Sequence, residues 1–403
     1  MASHRVATAW GLCACAGALA LVACFRTAQP VHYFAEGRPA KLSDWQVVYA
    51  DGHTLALNEG VVPYDLNTPL FSDYAHKLRT VWMPRGTSAK YDADGSFDFP
   101  AGTIISKTFY YPLPKGAAHD ADAVARTYDQ STEFSDTGRG ERGLKLANVH
   151  LIETRILVRR AAGWEALPYV WNAAQTEAVL ARTGDAKPLE LVAEDGGKEA
   201  FTYVVPNENQ CAGCHVADLK TKQIAPIGTK ARHLNRDYPY AAGSENQLLH
   251  WTKLGYLTGA PDSRGAPGPT AAAGSASAPK NADWRDAAQP LDARARAYLD
   301  INCGHCHNAK GPANTTALDL TIFAAADRYL GVCKPPVAAG RGTGDHFFDI
   351  VPGRPQDSIL PYRMRSDEPG VMMPEQGRTT THSEGVVLIE QWISEMRGTC
   401  DTT

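Results

Sequence analysis

Two pentapeptides, Cys211-Ala212-Gly213-Cys214-His215 and Cys303-Gly304-His305-Cys306-His307, constrain this chain more than any other feature. A CxxCH motif has a specific chemical use. Each thiol adds across a haem vinyl group to give a thioether, the two intervening residues match the spacing of those vinyls, and the following histidine supplies the proximal nitrogen to the iron. The expectation is therefore two covalently bound haems c, held by Cys211, Cys214, Cys303 and Cys306 and ligated by His215 and His307. CxxC pairs also serve zinc and thiol-redox sites. A zinc site would want four paired ligands close together, and a histidine after both pairs in an exported chain favours haem.

Export is read from the N-terminus. His4 and Arg5 are followed by an apolar, alanine-rich run from Val6 to Val22, short for a membrane span and suited to a signal peptide. The run ends Leu21-Val22-Ala23-Cys24, which resembles the bacterial lipobox and implies lipidation of Cys24, a signal over 1–24, and a lipid anchor on the periplasmic face of a membrane. Phe25 after the cysteine, where an Asp would favour inner-membrane retention, tips the expectation to the outer membrane. Of the nine cysteines, Cys13 and Cys15 fall in the signal, and Cys333 and Cys400 remain. In an oxidising compartment leftover thiols pair, so a Cys333–Cys400 disulfide is expected.

Each iron needs a sixth ligand or an open position. For the second haem, Met373 precedes Pro374 in a loop-rich stretch, and proline can hold the thioether in place. Met364 is the runner-up and Met372 the third choice. No methionine lies between His215 and Cys303, so the first haem must take a histidine, a residue from another domain, or nothing. His233 and His250 are the local candidates, Met83 and His76 the distant ones, and none is assigned. His305 reads as a solvent-facing spacer.

Along the chain, 31–206 reads as a β-rich domain, with runs of β-branched and aromatic residues at 102–111, 150–160, 164–171 and 201–206. Residues 207–258 form the first haem segment, 259–283 a Gly/Ala/Ser/Pro linker, and 284–403 a second cytochrome c domain closed by an amphipathic helix near 384–398. Helical spacing at 246–257 suggests a helix packed on the haem. The expected fold class is multidomain α+β: an N-terminal, sandwich-like β-rich domain followed by two mainly α-helical cytochrome c-type haem domains.

With these segments in place, the chain resembles the diheme c-type cytochrome lipoproteins often encoded beside a secreted parallel β-helix protein. The resemblance rests on 64–79, 99–109, 152–158, 169–172, 209–215, 295–308, 350–364 and 372–378, and covers almost the whole mature chain. It implies periplasmic or surface electron transfer with redox-partner proteins, and an association with a secreted β-helix protein. Net charge is −4 with no basic stripe, which excludes a nucleic-acid partner. Two functions stay open. One is an electron carrier without substrate chemistry of its own, and the other a peroxidase-like haem enzyme whose first iron is open and is fed by the second. The cluster Asp73, Tyr74, His76 and Lys77 is either a partner surface or a turn and strand packed on the first haem.

Overall fold

The computed structural model describes residues 29–116, 122–137, 140–261 and 277–400. The signal segment with Cys24, and 262–276 of the expected linker, lie outside them.

Six strands build the central sheet: β1 (Val62–Tyr64), β2 (His76–Trp82), β3 (Ile104–Pro112), β4 (Val149–Arg160), β5 (Gly163–Trp171) and β6 (Ala178–Leu180). They lie side by side in chain order, each antiparallel to the next. Period-2 alternation sends successive side chains to opposite faces. Leu78, Ile104, Ile156, Val158, Leu167 and Tyr169 share one core with Val48, Leu55, Leu57 and Leu144 from a four-stranded sheet (Val48–Ala50, Thr54–Leu57, Gly143–Lys145, Phe134–Ser135). Each such buried aliphatic contributes roughly 1.5–3 kcal/mol. A bulge between Leu151 and Glu153 shifts the alternation of β4, so that Glu153, Arg155 and Leu157 share the opposite face.

That opposite face is covered at its two ends. At one, Phe109 and Tyr111 pack with Leu189, Leu191 and Tyr203 of a three-stranded sheet (Ala123–Ala125, Asp185–Val192, Lys198–Val205). At the other, Val81, Ile105 and Leu157 share a core with Leu234, Leu248 and Trp251. Between the two apolar zones lie Lys77, Arg79, Lys107 and Arg155.

Two mainly α-helical haem domains are not what the chain forms. The described residues are β-rich and contain six α-helices. Residues 207–258 hold three short ones, α1 (Glu208–His215), α2 (Ala231–Leu234) and α3 (Gln247–Lys253). The same segment carries strands Val216–Asp218, Gln223–Ile224, Asp237–Tyr240, Gly243–Asn246 and Leu257–Thr258. The reason is where its apolar residues go. They share one core with Val81, Ile105 and Leu157 of the central sheet, and Leu257–Thr258 pairs with Ala89–Lys90. The helix expected at 246–257 shortens to α3, whose Leu248 and Trp251 are buried in that core.

Residues 284–403 hold α4 (Leu291–Asn302), α5 (Ile359–Arg365) and α6 (Ser383–Glu395), with turns and 3-10 segments between α4 and α5. Helices α4 and α6 meet through Ala295, Tyr298, Leu299, Val386, Ile389 and Trp392, and the Trp392 indole donates to Asp292 at 2.8 Å. A disulfide joins Cys333 to Cys400. The end of the expected linker is packed: Ala278, Asn281 and Ala282 are buried, and the Asn281 amide donates to Asp300 at 3.0 Å. No helix among the described residues is long and apolar enough to cross a membrane.

Candidate haem cavity

The sheet face, α1, the end of α4 and the segment around α5 enclose a cavity of about 650 Å³, within the range of cofactor sites. Both CxxCH motifs open onto it. Cys211, Cys214 and His215 line one part, and Cys303, His305, Cys306 and His307 another. The segments that follow the two motifs are joined where Leu219 N–H donates to Lys310 O at 2.8 Å.

Local chemistry positions each motif. Asn207 caps α1: its side chain accepts from Gln210 N–H at 2.9 Å, and the Gln210 side chain accepts from Asn207 N–H at 2.9 Å. The second motif follows the last turn of α4, with Cys306 and His307 N–H both donating to Cys303 O. Gly304 has no room for a Cβ, which would lie 2.8 Å from Asp300 O.

The histidines share one arrangement. His215 Nδ1–H donates to Ala225 O at 2.8 Å, and His305 Nδ1–H to Ile301 O at 3.2 Å. His307 Nδ1–H donates to Thr316 Oγ1 at 3.1 Å, whose own proton goes to Ala313 O. A carbonyl only accepts, so the proton is fixed on Nδ1 and Nε2 keeps its lone pair, the orientation of a metal-ligating histidine. Burial pushes His215 down to about 3 and His305 and His307 to about 4, so all three rings are neutral at pH 7. The four thiols are shifted the other way. Burial raises Cys211 and Cys214 and pushes Cys303 and Cys306 up to about 12. A redox-active CxxC depends on a lowered thiol. Among the described residues no three His, Cys, Asp or Glu side chains converge on a bare metal ion, whereas a haem iron asks for one or two axial ligands.

Met364 and Met373 both line the cavity, and Met372 does not. Arg378 holds the Met373 loop. Its buried guanidinium donates to the carbonyls of Met373, Ser366, Arg363 and Thr380 at 2.8–3.3 Å. The next residues are fastened to the sheet region, where the Asp73 carboxylate accepts from Thr379 and Thr380 N–H, both at 2.7 Å. Tyr74 OH donates to Glu384 at 2.8 Å. Asp73, Tyr74 and His76 are thus buried anchors rather than an exposed partner surface.

The four candidates for the first haem's sixth ligand lie elsewhere. His76 engages Glu133 and Thr127 O through both nitrogens. His250 stacks on Tyr240 and contacts Glu245 at 3.0 Å, Met83 sits in the apolar core, and fully buried His233 lies 3.4 Å from Asp300. His305, read as a solvent-facing spacer, lines the cavity instead.

Sequence reading also missed the cationic wall. Arg79 stands opposite Lys107 across β2 and β3, and Arg155 opposite Lys107 across β3 and β4. Three like charges in one register row destabilise a sheet unless anions compensate them. Arg79 pairs with Asp65 at 2.6 Å and Arg155 with Glu153 at 2.6 Å. Lys107 has no carboxylate partner among the described residues, and burial, with Arg155 and Arg79, pushes it down to about 7. The available signal was Lys107 at an inward position of an otherwise apolar strand. Comparison with known proteins finds no matching family model, no matching characterised protein and no matching solved structure.

Proposed function

We propose that the chain is a c-type cytochrome that carries two covalently attached haems in one cavity and passes electrons between redox-partner proteins. One observation carries this reading: both CxxCH motifs face the same cavity, each with two thiols and a neutral histidine whose Nε2 has no partner among the described residues. Cys211 and Cys214 would form the thioethers of the first haem, with His215 as its proximal ligand. Cys303, Cys306 and His307 would hold the second, with the Met373 sulfur as the further ligand. Lys107, which has no carboxylate partner among the described residues, suits with Arg155 and Lys77 the acidic edge of a haem. When bound, the haems supply one-electron chemistry. The protein's part is to bind them, exclude water and set their potentials through ligand and charge.

The same reading places the chain outside the cytoplasm, where covalent attachment prevents haem loss, anchored through Cys24 with the outer membrane favoured. The family resemblance and the association with a secreted β-helix protein belong to this proposal and rest on the sequence segments alone. The test is the haem content of the protein produced in a host that matures c-type cytochromes. A pyridine haemochrome assay should give two covalent haems per chain. Replacing Cys211 and Cys214 by Ala, or Cys303 and Cys306 by Ala, should each remove one. Chains with no covalent haem would sink the reading.

A further inference from the structure

His305 lines the cavity and is held at Nδ1, although it occupies the second variable position of the second motif. Its Nδ1–H is anchored on Ile301 O in the last turn of α4, a carbonyl otherwise left over at a helix C-terminus. The ring is thereby fixed, and Nε2, with no partner among the described residues, is left to the cavity. His215 is fixed the same way by Ala225 O. The two imidazoles line the same cavity. Every histidine or methionine previously considered for this position is buried elsewhere or already engaged.

We propose that His305 supplies the sixth ligand to the iron held by His215, so that the first haem is ligated by two histidines, one from each CxxCH motif. The inference rests on the two-haem reading. Its consequence is that the ligand of one iron lies on the same short segment as both thioether cysteines of the other, Cys303 and Cys306. The ligand of one haem is then one peptide bond from Cys306 and two from Cys303, and neither iron is left open to substrate. Lys107 is the competing ligand, since it lines the same cavity and its amine has no carboxylate partner among the described residues. Lys107, however, hangs on a flexible stem within a row of cations, whereas the His305 ring is held at Nδ1.

The experiment compares the wild-type holoprotein with His305→Ala, His305→Met and Lys107→Gln. Haem content is measured first, so that failure of the two-haem reading is seen separately, as a wild-type chain lacking two haems. Electron paramagnetic resonance of the oxidised protein and carbon monoxide binding to the reduced protein follow. The wild type should show two low-spin irons and bind no gas. In His305→Ala one of the two low-spin signals should become high-spin, one haem per chain should bind carbon monoxide, and added imidazole should restore the low-spin signal. If His305→Ala fails to retain both haems, His305→Met decides: the first haem should stay low-spin while its potential rises. Gas binding by the wild type, two unchanged low-spin haems in His305→Ala, an unchanged potential in His305→Met, or opening of the site by Lys107→Gln instead would each overturn the proposal.

Discussion

Lys107 is a buried cation without a carboxylate partner among the described residues. It faces Arg79 and Arg155 across both neighbouring strands, and its nearest aromatic contact, the Phe109 ring at 5.1 Å, offers only a weak compensation. A cation near a haem favours the reduced iron, so removing it should lower a potential. Lys107→Gln is expected to lower one midpoint potential by on the order of 50 mV, about a tenfold shift in the reduction equilibrium, read by redox titration. The two cavity methionines are separable in the same way. Met373→Ala should lower the second haem's potential and admit carbon monoxide to its reduced iron. Met364, buried at 6% exposure beside Leu299 and Ile389, should instead cost about 2–5 kcal/mol of stability as Met364→Ala, seen as a lower melting temperature without gas binding.

At the scale of elements, the short helices and loops are held by buried charges more than by their own propensity. Helix α2 has four residues, too few to be stable alone. It is fixed to α4 by Arg232, which meets Asp300 at 2.7 and 3.1 Å, with Asn281 on the same carboxylate. Burial works against the charged Asp300, but Arg232 overrides it and holds the carboxyl down at about 2. The sign follows from linkage. A carboxyl lowered in the folded state stabilises fully above its ordinary value, and that contribution is lost as pH falls from about 4 toward about 2. Arg232→Ala should cost about 3–5 kcal/mol at neutral pH, because it strands a buried carboxylate. Thermal melts from pH 7 to pH 2 should show the gap between variant and wild type closing as acid protonates Asp300.

At the scale of the molecule, the two CxxCH segments are not beads on a string. The Asp73 carboxylate and the Arg378 guanidinium tie the Met373 loop to the sheet region, and the Cys333–Cys400 bridge holds the C-terminal tail. The disulfide closes a separation of 67 residues, which by loop entropy is worth about 4 kcal/mol. Cys333→Ala with Cys400→Ala should therefore lower the melting temperature and abolish its sensitivity to reductant. A double variant that melts like the wild type would show that packing of α6 on α4 already fixes the tail.

Sequence alone determined what is local. The CxxCH spacing carries the proposed attachment chemistry, because two thiols and a histidine at fixed separations match a haem's vinyls and iron. Period-2 runs of β-branched and aromatic residues marked β3, β4 and β5. The amphipathic run near the C-terminus marked α6, and the leftover thiols marked the disulfide. What depends on contacts distant in the chain was not legible. Helical haem domains were expected for 207–258, but whether an apolar residue packs on a helix or on a sheet is settled by which partner surface is present, and here the sheet was. His305 looked like a spacer because nothing nearby in sequence shows that Ile301 O anchors it and that His215 shares its cavity. The cationic row was invisible for the same reason. Arg79, Lys107 and Arg155 are far apart along the chain, and only strand register sets them side by side.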